Sequence, residues 1–372
     1  MIATVIIYFV IYTLGLALIV WLGLFLQVRR ERQYKVQADR LDASEVVVMI
    51  PFRNERDRIS VLLDSIKGLS KHPGKYIFID DHSTDDTDAL IFEKLKGFPC
   101  DVMILPNEIT GKKRALRYAI SHTTAPYILT WDADVYFSPD YFINLEKLGK
   151  ADMYVLPAIL EADNYLKRFF EIDVVLVNAV NVGLSGITRP IMSSGANFLY
   201  EREAFNDADD FQSHAHAASG DDTYLLRDFR LRKKTVRLIS DRTNAVSTET
   251  PSTFREFIDQ RLRWIGKTGD LKDNLSTSLA IGQSVMTVIY ILGLIYFLIM
   301  KEWELLGYWY IGKTVTDLLL FFPFFFRIKR MLTWILIPFY ELLFPIYNLI
   351  ILGLLFFYKP KWKGREIYNL KS

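Results

Sequence analysis

The sequence predicts an α/β domain with a mostly parallel sheet, set between apolar segments long enough to cross a membrane. Three observations carry that reading. Short apolar runs, VVVMI (46–50), YIFI (76–79), DVMIL (101–105) and YILTW (127–131), alternate with segments of helical spacing at Ile59–Leu69, Asp86–Lys96 and Lys112–His122. Uniformly apolar strands alternating with helices indicate a parallel sheet covered on both faces. The chain is also uncharged from 2 to 28, and apolar character returns near Leu279.

Taken in order, residues 1–28 read as a retained transmembrane anchor. An uncharged run of that length spans a hydrocarbon core of ~30 Å. The basic start, shorter apolar core and small-residue cleavage site of a signal peptide are not seen. The basic segment VRRERQYKVQADR follows, which by the positive-inside rule puts the N-terminus outside and residue 29 onward in the cytosol. Residues 29–250 are expected to form the α/β domain. Thr253 and Glu256 read as a capping box opening an amphipathic interfacial helix within 251–275. Phe254, Phe257, Ile258, Leu262 and Ile265 share an apolar stripe expected to meet lipid, and Gln260, Arg263 and Trp264 share another face. Residues 276–358 hold two to three spans: Leu279–Met300, Leu305–Phe326 and Thr333–Tyr358, the last carrying Pro338, Glu341 and Pro345. Lys313 and Asp317, at i and i+4, are expected to neutralise each other as a structural pair. Simple crossings would leave the basic tail 359–372 outside, so the last segment is expected to be re-entrant or broken at its prolines.

Composition narrows the function classes. The length of 372 residues allows two or three domains. A formal charge of +2 gives no field that argues for nucleic acid. The single cysteine, Cys100, excludes an intrachain disulfide framework and a cysteine zinc site, and suits a reducing compartment. No G-x-G-x-x-G follows the first strand, and GKK at 111–113 lacks the flanking residues of a P-loop. Nothing suggests a Ser-His-Asp triad.

Polar residues gather where strands end: PFRNE after the first, DDHSTDDT after the second and DAD after the fourth. Ligands of such sheets bind beyond the carboxyl ends of the strands. Asp132 and Asp134 are spaced i, i+2, which in extended chain puts both on one face, where they can share one hard divalent cation, Mn²⁺ or Mg²⁺. The bland alternative is a turn-forming composition. GDD at 220–222 opens a helix, where carboxylates are favoured by the dipole; that role explains one aspartate better than an adjacent pair. His214 and His216, in DADDFQSHAHAAS, read as part of a mobile polar loop more than as metal ligands.

The ordered set PFRNE (51–55), IDDHSTDDT (79–87), GKKRAL (111–116), DAD (132–134), SGANFLY (194–200), GDD (220–222) and QRLRW (260–264) resembles an inverting family 2 glycosyltransferase of GT-A fold. The resemblance implies a Rossmann-like cytosolic domain and a nucleotide-sugar site. It assigns Asp81 to the uracil or ribose of a UDP-sugar, with Asp80 in support, while Asp85 and Asp86 cap the following helix. Pro51, Arg53 and Glu55 would face the nucleotide, with Arg53 alternatively a surface charge, and Lys112 would approach the diphosphate. Asp134 would ligate the metal, and Asp132 would meet the ribose and the metal's water shell. Asp222 would be the general base, with Asp221, in place of the commoner Glu, as the alternative. Gln260, Arg263 and Trp264 would close the donor site; the alternative is an interfacial helix with a snorkelling Arg and a belt Trp. No role follows for Asn197.

The expected activity is transfer of a sugar from a UDP-sugar to a lipid hydroxyl, with inversion and a divalent metal. QRLRW also occurs in processive polysaccharide synthases, but the C-terminal segments are few and apolar for a polymer channel. A non-catalytic nucleotide-sugar-binding protein is a further alternative, and a transporter lacks the repeated halves it would need. The expected location is a membrane, the bacterial inner membrane, with the catalytic domain cytosolic.

Overall fold

The computed structural model describes residues 2–215, 220–270, 273–358, 361–362 and 365–366. The chain opens with α1 (Ile2–Ala17), a π-helical turn at Leu18–Leu22 and α2 (Gly23–Tyr34). Strand β1 (Val46–Phe52), α3 (Ser60–Lys67), β2 (Lys75–Asp80), α4 (Thr87–Lys94), β3 (Cys100–Ile104), α5 (Lys112–Ser121) and β4 (Tyr127–Trp131) follow the expected alternation. Then come β5 (Tyr136–Phe137), α6 (Tyr141–Leu145), β6 (Met153–Val155), β7 (Ala158–Glu161) and the long helix α7 (Tyr165–Ile187). After it lie β8 (Asn197–Glu201), α8 (Arg202–Ala208), α9 (Asp221–Leu231), β9 (Val236–Leu238) and β10 (Val246–Glu249). Five helices follow, α10 (Phe254–Asp270), α11 (Asn274–Ile299), α12 (Trp303–Arg327), α13 (Met331–Ile335) and α14 (Ile337–Phe357), and then two short paired strands, Lys361–Trp362 and Arg365–Glu366.

Two compact units result. Val28–Glu161 and Arg189–Glu249 form an α/β unit; Met1–Gln27, Ala162–Thr188 and Thr250–Ile367 form a helical unit. Residues 162–188, inside the stretch 29–250 expected as one domain, therefore group with the helices.

In the α/β unit the main sheet has the order β3-β2-β1-β4-β8-β6-β9. Strands β1 to β4 are mutually parallel, and β8 runs antiparallel to β4 and β6. The interior of β1 and all of β4 are buried, because helices cover both faces and every side chain must be apolar. Register decides where the polar residues emerge. Phe52 pairs with Asp80, and Trp131 pairs with Asn197. The carboxyl ends of β1, β2 and β4 thus share an edge with the amino end of β8, which enters from Ser194–Ala196. A second sheet, β5-β10-β7, lies beside it in the same unit.

The helical unit departs from expectation in several places. Among the described residues, four helical stretches are long and apolar enough to cross a bilayer: Ile11–Tyr34, Tyr165–Ile187, Asn274–Ile299 and Ile337–Leu355. The second is absent from the sequence expectation, since Glu171, Asp173 and Asn181 interrupt its apolar pattern. Those three are buried. Arg330 and Arg168 reach Glu171 at 3.2 and 3.4 Å, and Thr333 donates to it at 2.9 Å. Backbone packs on backbone where α7 meets the N-terminal helix: a Cβ on Gly23 would lie 2.1 Å from the Gly183 carbonyl oxygen, the close approach small residues permit.

The expected segment Thr333–Tyr358 is interrupted at Leu336, between α13 and α14, just before Pro338 in the first turn of α14; Pro345 lies inside α14 without ending it. Lys313 bonds Asp317 as expected, and also Glu341 at 3.0 Å. The capping box is present in altered form: Thr253 Oγ1 accepts from Glu256 N at 3.2 Å, while the Glu256 carboxylate accepts from Ser252 N at 2.9 Å. The middle of the apolar stripe of α10 is turned inward, while Phe254 at its start is 40% exposed. Phe257, Ile258 and Leu262 are buried with Phe170, Tyr347 and Ile351, and Phe257 stacks on Phe170 at 4.1 Å between ring centres. Protein covers Phe257, Ile258 and Leu262. Of the basic tail, residues 359–360, 363–364 and 367–372 lie outside the described residues.

Candidate active site

The loops that leave β1 and β2 are tied to each other. Asn54 Oδ1 accepts from Thr84 N at 2.8 Å, and Asn54 N donates to Ser83 Oγ at 3.1 Å. Glu55 N donates to Thr87 Oγ1, and Asp85 accepts from both Arg56 N and Thr87 Oγ1. Asn54, His82 and Asp86 all have positive φ, a conformation non-glycine residues hold only when their surroundings demand it. Asp85 therefore does the capping; Asp86, at φ 55°, makes no capping bond with its side chain. None of these cross-loop ties is visible from local sequence.

Within this frame the expected residues take definite places. Pro51 lies in β1 opposite Ile79, past the last residue that pairs with β4, so its missing N–H leaves no gap on that side. Glu55, Asp80 and Asp81 are buried. Asp80 Oδ1 accepts from Ser83 N at 2.8 Å, and Asp81 Oδ2 accepts from Gly111 N at 3.1 Å. Burial pushes the Asp81 carboxyl above its ordinary range, opposed by the Gly111 N–H and by the Arg53 guanidinium. Arg53 is half-buried and acts on Asp81, so it is not a plain surface charge.

Strand β4 stops at Trp131, and Asp132 and Asp134 lie in the turn that follows, not in extended chain. They nonetheless feel each other. Burial, then the neighbouring Asp132 charge, raises the Asp134 carboxyl, against the pull of Arg58. Each aspartate carries its own cation: Lys112 Nζ bonds Asp132 Oδ1 at 2.6 Å, and the Arg58 guanidinium bonds Asp134. Two adjacent carboxylates that each recruit a cation, with hard oxygen donors and part of each side chain open, fit a divalent ion.

Asp222 sits in the first turn of α9, after Gly220 at φ 94°. Its Oδ2 accepts from Gly195 N at 3.0 Å, and Oδ1 accepts from Thr223 N at 2.7 Å. The other side of the same glycine faces Lys112, whose Nζ donates to Gly195 O at 3.3 Å. One residue of the SGANF segment thus joins the Asp132–Lys112 pair to Asp222. The side chain of Asp221 lies outside the described residues. Asn197, which has no role in the sequence reading, is a buried staple: Nδ2 donates to Pro157 O and Asn244 O, and Oδ1 accepts from Tyr141.

His214 corrects the expectation of a mobile polar loop; His216 lies outside the described residues. His214 is buried, stacks on Tyr224, meets Lys113 Nζ at Nδ1 (2.9 Å), and meets Asp228 Oδ2 at Nε2 (3.0 Å). An ammonium can only donate, so Nδ1 accepts and the Nε2–H faces Asp228. Asp209, His214 and Asp228 are spaced closely enough to hold a metal. However, Arg117 already pairs with Asp209, and Lys113 donates to His214 O and faces its Nδ1. With those two cations in place, the cluster also reads as a buried polar network.

In the helical unit, the Oε1 of Gln260 is buried without a hydrogen-bond partner among the described residues, and Arg263 and Trp264 are half-buried. The neighbouring Arg261 carries no mark in the sequence, yet it is the better anchored. Its Nε pairs with Asp173 Oδ2 at 2.8 Å and donates to Tyr347 Oη at 3.0 Å, and Tyr340 donates to Asp173 Oδ1 at 3.1 Å.

Comparison with known proteins gives this arrangement a setting. Residues 47–207 match the Glycosyl transferase family 2 model. A curated relative, the undecaprenyl-phosphate 4-deoxy-4-formamido-L-arabinose transferase of Klebsiella pneumoniae subsp. pneumoniae, is 31% identical over 112 residues, 29% of this chain. The match spans only 34% of that relative's length. The mannosyltransferase PcManGT from Pyrobaculum calidifontis, solved with GDP-Man and Mn²⁺, superposes with a TM-score of 0.50 at 16% identity, covering 91% of this chain and 98% of that one. Glucosyl-3-phosphoglycerate synthase from Mycobacterium tuberculosis, solved with Mn²⁺, UDP and phosphoglyceric acid, gives 0.42 at 17% identity, covering 62% and 80%. The first of these structures supports a GT-A-like fold.

Proposed function

On the premise that residues 47–207 are a glycosyl transferase family 2 domain, we propose that this chain is a membrane-bound inverting glycosyltransferase, moving a sugar from a UDP-sugar to a lipid acceptor. The observation that carries it is the Gly195 peptide, which links Lys112 beside the DAD turn to Asp222 at the head of α9. It supports a donor side and a base side built as one piece.

In this reading Asp81, with Asp80, holds the nucleoside, and Pro51, Arg53 and Glu55 shape the wall beside it. Asp134, assisted by Asp132, holds Mn²⁺ or Mg²⁺. When bound, such an ion supplies Lewis-acid stabilisation of the leaving diphosphate. Lys112 adds a positive charge toward the same oxygens, and Gln260, Arg263 and Trp264 contribute donor contacts. Asp222 takes the proton from an acceptor hydroxyl as its oxygen attacks the anomeric carbon. The basic stretch after residue 28 supports a cytosolic α/β unit, in a bacterial inner membrane.

The name of the curated relative favours a second acceptor chemistry, a lipid phosphate. A phosphate monoester is largely deprotonated at neutral pH (second pKa about 6), so it needs no base to become nucleophilic. The test is UDP release by detergent-solubilised protein across a panel of UDP-sugars, with Mn²⁺ or EDTA and membrane lipid extract. Metal-dependent release stimulated by lipid is expected. A ladder of products would favour a processive synthase, and UDP binding without release would favour a non-catalytic nucleotide-sugar-binding protein.

A further inference from the structure

Arg58 lies in the loop after β1, outside the residues the sequence marks for chemistry. Its backbone is fixed: Arg58 N donates to Glu55 O at 2.9 Å, and the next residue, Ile59, is fully buried. Its side chain is not fixed in the same way. The side chain is 54% exposed, and its guanidinium is bonded to Asp134 and within 4.0 Å of the Glu55 carboxylate.

We infer that Arg58 is a donor-binding residue held in reserve. Its guanidinium neutralises Asp134 until a divalent cation takes that carboxylate, then turns to the diphosphate oxygens of the nucleotide sugar. The inference rests on the glycosyltransferase reading above. Three physical points support it. A divalent cation on Asp134 repels the Arg58 guanidinium and competes with it for the carboxylate oxygens, so metal binding weakens the pair and favours release of the arginine. An ion pair this open is weak, so release has a small cost. The freed fork is a flexible side chain on a rigid stem, and its geometry matches two phosphoryl oxygens, as an ammonium's does not. Once metal and diphosphate are both bound, the charge the arginine loses at Asp134 is replaced at the ligand. Glu55, beside the pair, keeps the guanidinium near the rim during the exchange.

The test uses the full chain in detergent and reads binding, not turnover. Mn²⁺ is titrated without nucleotide; UDP and GDP are then titrated at saturating Mn²⁺. With its competitor gone, Arg58→Ala should bind Mn²⁺ about 2–5-fold more tightly, the range an exposed ion pair implies. The same variant should bind the nucleoside diphosphate about tenfold more weakly. Arg58→Lys should restore the wild-type Mn²⁺ affinity but only part of the nucleotide affinity. A Mn²⁺ affinity that does not move, or a nucleotide affinity that does not fall, overturns the inference. Wild-type protein that binds neither UDP nor GDP with Mn²⁺ overturns the glycosyltransferase reading itself, which is a distinguishable failure.

Discussion

Replacing Asp222 by Asn separates the two acceptor chemistries. The change keeps size and shape but removes the basic oxygen. If the acceptor is an alcohol, general-base loss should lower single-turnover transfer by about 10²–10⁴, or about 2.7–5.5 kcal/mol of barrier. If the acceptor is a lipid phosphate, that loss vanishes. The structure adds a second, independent magnitude. Gly195 N and Thr223 N donate to different oxygens of Asp222. An amide has one oxygen, so whichever way it turns, one backbone N–H faces an NH₂ group. An unsatisfied buried donor costs about 1–3 kcal/mol of stability. The assay pairs thermal unfolding with single-turnover transfer at saturating donor, and UDP titration confirms that the donor site is intact. A stability loss in that range with UDP binding kept and transfer down by at least a hundredfold is the expected result. Transfer within tenfold of wild type, with UDP still bound, would refute Asp222 as the base and leave the phosphate acceptor.

Asp134→Ala should abolish Mn²⁺ binding in calorimetric titration and reduce transfer to the level seen with EDTA; undiminished Mn²⁺ affinity would move the metal elsewhere. Asp81→Asn should weaken UDP binding at least tenfold without lowering the unfolding temperature. Burial raises the Asp81 carboxyl, so the folded state holds that proton more tightly than the unfolded chain. Its own contribution to stability therefore grows as pH falls through the raised value and is lost above it, and the neutral amide should flatten that slope in a pH series of melts. Arg261→Ala leaves Asp173 buried without its cation, for a loss of about 3–5 kcal/mol; the double change Arg261→Met with Asp173→Leu should recover most of it in the same denaturation assay.

The first four strands are legible in the sequence because a strand buried on both faces has to be apolar without interruption, and VVVMI and YILTW, each bounded by a proline and an acidic residue, are too short for buried helices. The site residues at their ends are legible for a related reason: carboxylates directly after such runs must surface at the rim. What escapes a sequence reading depends on partners remote in the chain. The amphipathic pattern of α10 says that one face is covered, but not that Phe170 and Tyr347 cover it. The polar composition around His214 suggests a loop, because nothing local announces Lys113 and Asp228. Arg58 lies outside the sequence motifs, and Gly195, although within SGANFLY, makes its contacts through backbone atoms that composition does not reveal. Helix α7 is hidden by its acids, which look like solvent-facing residues until Arg330, Arg168 and Arg261 are set against them.

Because α7 groups with the helical unit while the chain on either side of it groups with the sheet, the α/β unit is not a continuous piece of sequence. A soluble fragment cut at residues 29–250 would carry a 23-residue apolar helix stripped of its partners. Phe170 would lose Phe257, and Gly183 would lose its seat on Gly23. Such a fragment should aggregate on expression, whereas one with Ala162–Thr188 replaced by a short polar linker should remain dispersed. For this chain, the helices are part of the preparation that any biochemical work on the catalytic rim has to keep.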